Sequence, residues 1–208
     1  MVIAIDGPAG AGKSTVSRAV AERLGFTYLD TGAMYRAVAL AAAERGQPPA
    51  AVAEAIDIEV GDRVLLDGRD VTVAIRSPTV SEDASRVAAD PGVRAALVRK
   101  QQALLAAGGD WVAEGRDIAN VVAPDAEVKV FLFASPAARA RRRAEELGAD
   151  YAQVLREQHA RDVRDATERR SVLEPAPDAV PVDTTDLSLD EVVGQIVTLA
   201  VEAKEIGA

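Results

Sequence analysis

The sequence contains no cysteine, which removes disulfides, thiolate metal sites and cysteine nucleophiles from its chemistry. Aromatic residues are scarce, at 3% of the chain, and alanine is abundant, so the core has to be built from Val, Leu, Ile and Ala. His159 is the only histidine, and it reads as an ordinary residue on a helix face. No apolar run approaches the ~20 residues that cross a bilayer. The apolar opening Val2-Ile3-Ala4-Ile5 has no basic stretch before it and leads straight into a glycine motif, as a first core strand does and a signal peptide does not. Positive charge is also in deficit, with 24 Lys and Arg against 33 Asp and Glu and a net charge of -9. Such a mean field repels nucleic acid and anionic membrane alike. The expectation is a cytoplasmic protein with a small partner, whose phosphate groups would be caught by a local cluster of Arg and Lys.

What is present is a regular alternation of strand and helix over 208 residues, a length that suits one α/β domain. Short, mainly apolar segments near 2–5, 27–29, 111–113, 128–133 and 180–182 read as core strands. Helical spacing predicts Lys13–Leu24, Ala33–Arg45, Val80–Ala88 and Val93–Ala107, the last opened by Asp90 and Pro91. Further helices are expected from Ser135-Pro136 to near Gly148, from Tyr151 to Arg164, and after the capping box Ser188–Glu191. Ile58–Val60 and Val64–Leu66 around Gly61-Asp62 read as a small hairpin. Strands that alternate with helices give a parallel sheet with right-handed crossovers, and its ligand edge lies at the strands' C-terminal ends.

The segment Gly7-Pro8-Ala9-Gly10-Ala11-Gly12-Lys13-Ser14 matches the pattern G-x-x-x-x-G-K-[ST] in full, between a buried strand and a helix. Glycines let the backbone turn its N–H groups onto phosphate oxygens, and the following helix adds its N-terminal dipole. Lys13 reaches the β- and γ-phosphates of ATP, with Thr15 behind it, and the Ser14 hydroxyl can join a Mg²⁺ shell. A GTPase would read guanine through N-K-x-D, but the one asparagine, Asn120, is followed by valine. A motor or transport ATPase would end a strand in an acid, whereas Val128–Phe133 runs into Ala134-Ser135. A small-molecule kinase remains.

Several segments in register resemble the bacterial cytidylate (CMP/dCMP) kinases. They are Asp30-Thr31-Gly32-Ala33-Met34-Tyr35-Arg36, Ile75-Arg76, Ala84-Ser85-Arg86-Val87-Ala88, Pro91-Gly92-Val93-Arg94, Glu114-Gly115-Arg116-Asp117 and Arg161-Asp162-Val163-Arg164-Asp165. The resemblance runs from Ile3 to about Leu189. It implies a P-loop NTPase core with a five-stranded parallel sheet flanked by helices. It also implies an NMP-binding insert at about 32–108 and a lid at about 139–175, both of which close on the ligands. By resemblance, Asp117 accepts from the cytosine amino group with help from Ser85, and Arg94 reads the ring's other edge. Arg36 and Arg116 hold the acceptor phosphate with Thr31 nearby, and Arg161 and Asp165 come from the lid. Lys13, Arg116 and Arg161 are the expected catalytic cations. The implied reaction moves a phosphoryl group from ATP to CMP or dCMP with Mg²⁺, in a monomer. No base is needed, because a phosphomonoester is already largely ionised at neutral pH.

The sequence departs from the family pattern in the lid, where Glu168 takes the place of an arginine, with Arg169 and Arg170 behind it, and Ser171-Val172-Leu173 replaces S-P-L. After Arg116-Asp117-Ile118 it reads Ala119-Asn120-Val121-Val122-Ala123-Pro124 in place of G-T-V-V-F-P. Another acceptor (UMP, AMP or a shikimate-like acid) and a non-catalytic ATP-binding module stand as the rival readings. The arginines from Arg139 to Arg143 are either a solvated face paired with Glu145 and Glu146 or a source of one ATP-covering residue.

Overall fold

The computed structural model describes residues 1–167 and 175–206, leaving aside the side chains of residues 164–167. Val2–Asp6 is the central strand β1. Its neighbours are β6 (Trp111–Glu114) and β7 (Val128–Phe133), both parallel to it, with Ile5 opposite Glu114 and Asp6 opposite Phe131. The outer strands are β2 (Thr27–Asp30) and β8 (Val180–Asp183), giving the order β2-β6-β1-β7-β8. All five strands fall where the sequence reading places them. The inner strands β1, β6 and β7 are buried on both faces and so are apolar at most consecutive positions, whereas the edge strand β8 is largely exposed.

The chain divides into two compact units, one comprising Met1–Tyr28 with Gly109–Ala208 and the other Leu29–Gly108. In the first, α1 (Lys13–Leu24) and α8 (Leu189–Ile206) pack on the sheet. Ile3, Ile5, Val16, Val20, Val130, Leu132, Val192 and Ile196 form its core. Also in this unit are α6 (Pro136–Leu147) and α7 (Tyr151–Thr167), which share a small cluster of Ala140, Ala144 and Val154. Ser188 and Glu191 complete the expected capping box, the Ser188 N–H donating to Glu191 Oε2 at 2.8 Å and the Glu191 N–H to Ser188 Oγ at 3.3 Å.

The second unit holds α2 (Thr31–Arg45), α3 (Pro49–Ala55), α4 (Pro78–Val87) and α5 (Pro91–Ala106). It also holds a three-stranded antiparallel sheet of β3 (Ile58–Val60), β4 (Val64–Leu66) and β5 (Arg69–Asp70). Asp90 caps α5 as expected, accepting from the Gly92 and Val93 N–H groups at 2.7 and 3.3 Å. Two differences from expectation have local causes. α3 is not among the expected helices; Pro49 opens it, since a proline at the first helical position loses no hydrogen bond. α2 starts at Thr31 instead of Ala33, because Asp30 caps it by accepting from the Ala33 N–H at 2.8 Å.

Candidate functional site

The loop between β1 and α1 is built around backbone conformations that side chains resist. Gly7 has φ +147°, and a Cβ there would stand 2.0 Å from the Leu132 carbonyl oxygen. At Gly10 (φ +77°) a Cβ would stand 2.8 Å from Gln158 Nε2 and 3.1 Å from Arg139 Cβ. Gly12 precedes α1 at φ +87° and offers no side-chain cap. The first N–H groups of α1 are thus left for an anion, which the helix dipole also favours. Lys13 Nζ donates to the Pro8 carbonyl at 3.0 Å. Burial pushes the Lys13 ammonium down to about 7, and the charges of Arg116 and Arg161 act in the same direction against Glu114 and Asp6. Lys13, Arg116 and Arg161 therefore share one electrostatic neighbourhood with Glu114 and Asp6.

Glu114 is a further candidate that the sequence reading does not include among the site residues. It ends β6, is 3% exposed, lies opposite Ile5 of β1 and accepts a hydrogen bond from the Tyr28 hydroxyl. β1, β2, β6 and β8 each end in an acid (Asp6, Asp30, Glu114 and Asp183), so the lack of one after β7 does not by itself separate this chain from a motor or transport ATPase. Of these acids Glu114 is the one paired in register with Ile5 of β1. The signal was present in Glu114-Gly115, but strand adjacency is needed to read it. Asp6, at the end of β1, is also buried and accepts from the Ile118 and Ala119 N–H groups at 2.9 and 2.8 Å. Burial raises the Asp6 carboxyl to about 6. The two amide bonds oppose this rise, Asp117 adds to it, and Lys13 opposes it.

Arg116 and Asp117 lie between β6 and a single turn of π-helix, Ile118–Val122, which the sequence reading does not include. Arg116 Nη1 donates to the Gly7 carbonyl at 2.6 Å, so the turn and the phosphate loop are joined directly. Asp117 is buried and does not cap the turn it precedes.

The arginine cluster on α6 separates into different roles. Arg139 is 4% exposed. Its guanidinium donates to the Ala9 carbonyl at 2.9 Å, to the Ala134 carbonyl at 3.2 Å, and in a fork to Asp162 of α7 at 2.6 and 3.3 Å. Arg142 bonds Thr184 and the Thr185 carbonyl, whereas Arg141 is exposed and Arg143 pairs with Glu146 at 2.7 Å, as the solvated reading has it. Arg161 lies next to Asp162 on α7, half-buried. Asp165 is on the same helix, but its side chain lies outside the described residues, as do Glu168, Arg169, Arg170, Ser171, Val172 and Leu173.

In the unit Leu29–Gly108, Arg36 pairs with Asp30 at 2.9 Å. A Cβ on Gly32 would stand 3.1 Å from Arg36 Nη1 and 3.2 Å from Asp30 Oδ1, so glycine leaves room for this pair. Asp30 holds the start of α2 and the guanidinium of Arg36 with one carboxylate. Thr31 and Ser85 are buried at 3% and 4% exposure, and Arg94 is half-buried in the first turn of α5.

The cytidylate kinase family model matches residues 3–202. The cytidylate kinase of Pelotomaculum thermopropionicum is 51% identical, covering 94% of this chain and 93% of its own length. Those of Carboxydothermus hydrogenoformans and Rhodococcus opacus are 48% and 44% identical, covering 96% and 100% of this chain and 96% and 97% of their own lengths. Among solved structures, a gluconokinase from Sinorhizobium meliloti superposes with a TM-score of 0.55 at 19% identity, over 99% of this chain and 94% of that one. A putative kinase from Chloroflexus aurantiacus gives 0.51 at 17% identity, over 97% and 96%. At such identities these two speak for the fold alone.

Proposed function

This chain belongs to the cytidylate kinase family, and from that membership we infer how its residues divide the work of transferring a phosphoryl group from ATP to CMP or dCMP, giving ADP and CDP or dCDP. The observation that supports the reading best is the junction of the phosphate loop with the Arg116-Asp117 turn. There Arg116 is bonded to the Gly7 carbonyl while its charge acts on Lys13. A loop that receives ATP phosphates is thereby tied to a cation and a carboxylate suited to an acceptor nucleotide.

Gly7 to Thr15 receive the triphosphate, with backbone N–H groups and the start of α1 facing its oxygens. Lys13, Arg116 and Arg161 offset the charge that spreads over the transferring group, and the acceptor phosphate, already ionised, attacks without a base. Arg36, pre-set by Asp30, and Arg116 hold the acceptor phosphate beside Thr31. Asp117 accepts from the cytosine 4-amino group with Ser85 alongside, and Arg94 serves the opposite edge of the ring. Asp165 and Arg161 serve the sugar and phosphates. UMP carries an acceptor where CMP carries a donor, so Asp117 would face it with like polarity, and a buried mismatch of that kind discriminates strongly.

Ser14 in the first turn of α1 and Glu114 at the end of β6 would be the protein partners of Mg²⁺, an ion that usually keeps several waters and is bound through few protein groups plus substrate phosphates. When bound, Mg²⁺ neutralises charge on the β- and γ-oxygens of ATP. A cytoplasmic place in pyrimidine metabolism and a monomeric state go with this reading.

The test is ADP release from ATP and Mg²⁺ with CMP, dCMP, UMP, AMP, GMP or shikimate as acceptor, one per reaction. Turnover with CMP or dCMP well above the rest is the expected result. Preference for another acceptor would overturn the base assignment, and ATP binding without ADP release would reduce the protein to a binding module.

A further inference from the structure

A helical turn leaves its first N–H groups without partners, and an Asp immediately before it ordinarily supplies the cap. Asp117 stands in that place before Ile118–Val122, with φ −147° and ψ 28°; its backbone carbonyl accepts from the Val121 N–H at 2.9 Å, but its side chain makes no cap bond. The cap comes instead from Asp6, more than a hundred positions earlier in the chain. Its two carboxylate oxygens take the Ile118 and Ala119 N–H groups at 2.9 and 2.8 Å. The next residue, Gly7, accepts from Arg116 Nη1 at 2.6 Å. Two consecutive residues at the end of β1 thus grip the segment Arg116–Ala119 at three points. This grip cannot slide, because β1 is in register with strands on both sides and the Gly7 backbone lies against the Leu132 carbonyl.

We propose that Asp6 is a positioning residue for base selection: by capping the turn in place of Asp117, it fixes the backbone of the residue that reads the pyrimidine. This rests on the assignment of Asp117 to the cytosine amino group. An asparagine at position 6 would keep one acceptor oxygen and turn an amide N–H₂ toward the second backbone donor, so one of the two bonds is lost and the turn shifts. The cost falls on what Asp117 does and not on the triphosphate, whose contacts come from Gly7 to Thr15.

The experiment measures kcat/KM for CMP and for UMP, and KM for ATP, in the wild type, Asp6→Asn, Asp117→Asn and the double variant. The expected result is a CMP:UMP ratio about tenfold narrower in Asp6→Asn, matching the loss of one hydrogen bond. KM for ATP should stay within about threefold. In the Asp117→Asn background, Asp6→Asn should narrow the ratio no further, since residues acting as one unit are not additive. If Asp117→Asn narrows the ratio and Asp6→Asn does not, the inference fails and the base assignment stands. If Asp117→Asn itself leaves the ratio unchanged, the base assignment fails and takes the inference with it. An equal loss for CMP and UMP with a raised KM for ATP would show Asp6 to be a support of the phosphate loop only. Should Asp6→Asn not fold, Asp6→Glu, which keeps both oxygens but displaces them, carries the same comparison.

Discussion

Ionising Asp6 at the end of β1 costs more in the folded protein than in the unfolded chain, because burial outweighs the two amide bonds that favour the carboxylate. The folded protein accordingly binds the Asp6 proton more tightly, with its carboxyl at about 6 against an ordinary 3.8. Over that interval the folded state holds more protons than the unfolded one, so this residue's contribution makes stability fall as pH rises. The charged groups that act on it are Asp117, which raises it, and Lys13, which lowers it. Asp6→Asn abolishes this titration. The stability of Asp6→Asn relative to wild type, measured by urea unfolding, should therefore rise from pH 4 to pH 7 by on the order of 2–3 kcal/mol. A difference that is flat with pH would mean that Asp6 ionises normally. Lys13 shows the same conflict with opposite charge, an ammonium held in a place that disfavours it until an anion arrives. Both residues give up stability to hold a charge at the ligand edge of the sheet, as functional sites commonly do.

At the scale of elements, helix α6 joins the phosphate loop to helix α7 through one side chain. Arg139 spans the Ala9 carbonyl on one side and Asp162 on the other, and Gln158 of α7 returns a bond to the Arg139 carbonyl at 3.3 Å. Removing one partner of a buried pair leaves the other uncompensated. Arg139→Met should therefore cost about 3 kcal/mol, and amide exchange along Tyr151–Arg161 should quicken as α7 loses its anchor. Arg143→Met, which breaks an exposed pair with Glu146, should cost no more than about 0.5 kcal/mol. Equal effects from the two substitutions would refute the distinction. The arginines of this helix look alike in sequence. Their difference is set by which of them faces the P-loop, and that depends on a contact between Arg139 and a residue 130 positions away.

At the scale of the whole molecule, the unit that carries the phosphate loop draws its core from both ends of the described chain. Ile196 of α8 is fully buried in the cluster that contains Ile3, Ile5 and Leu132. Ile196→Ala should lower stability by about 2–5 kcal/mol, the range for deleting a large buried aliphatic side chain. At temperatures where the variant remains folded, KM for CMP should be unchanged. A changed KM with unaltered stability would contradict this placement of Ile196. The unit Leu29–Gly108 has its own hydrophobic interior, including Met34, Val38, Ile75 and Leu97, each essentially inaccessible to solvent. Each unit therefore has its own apolar support for the residues it presents.

By itself the sequence determined the five core strands and seven of the helices, the phosphate loop and the family, while α3, β5 and the turn Ile118–Val122 were not legible in it. The legible parts rest on signals written within a few consecutive residues: apolar runs at Val2–Ile5 and Val130–Phe133, the glycines and Lys13 between strand and helix, and capping residues such as Asp90 and Ser188. The residues of the predicted site could be named from their segments. What holds several of them in place could not be. Only the tertiary structure decided that Glu114 ends the strand next to β1, that Asp6 caps a turn in place of Asp117, and that Arg139 is buried against Ala9 while Arg143 is solvated. Each of these depends on the order of strands in the sheet or on the packing of one helix against a loop. An amino acid's type and its near neighbours determine which hydrogen bonds it can form. The partner that removes it from water can lie more than a hundred residues away, as Ile118 does from Asp6, and only folding brings the two together.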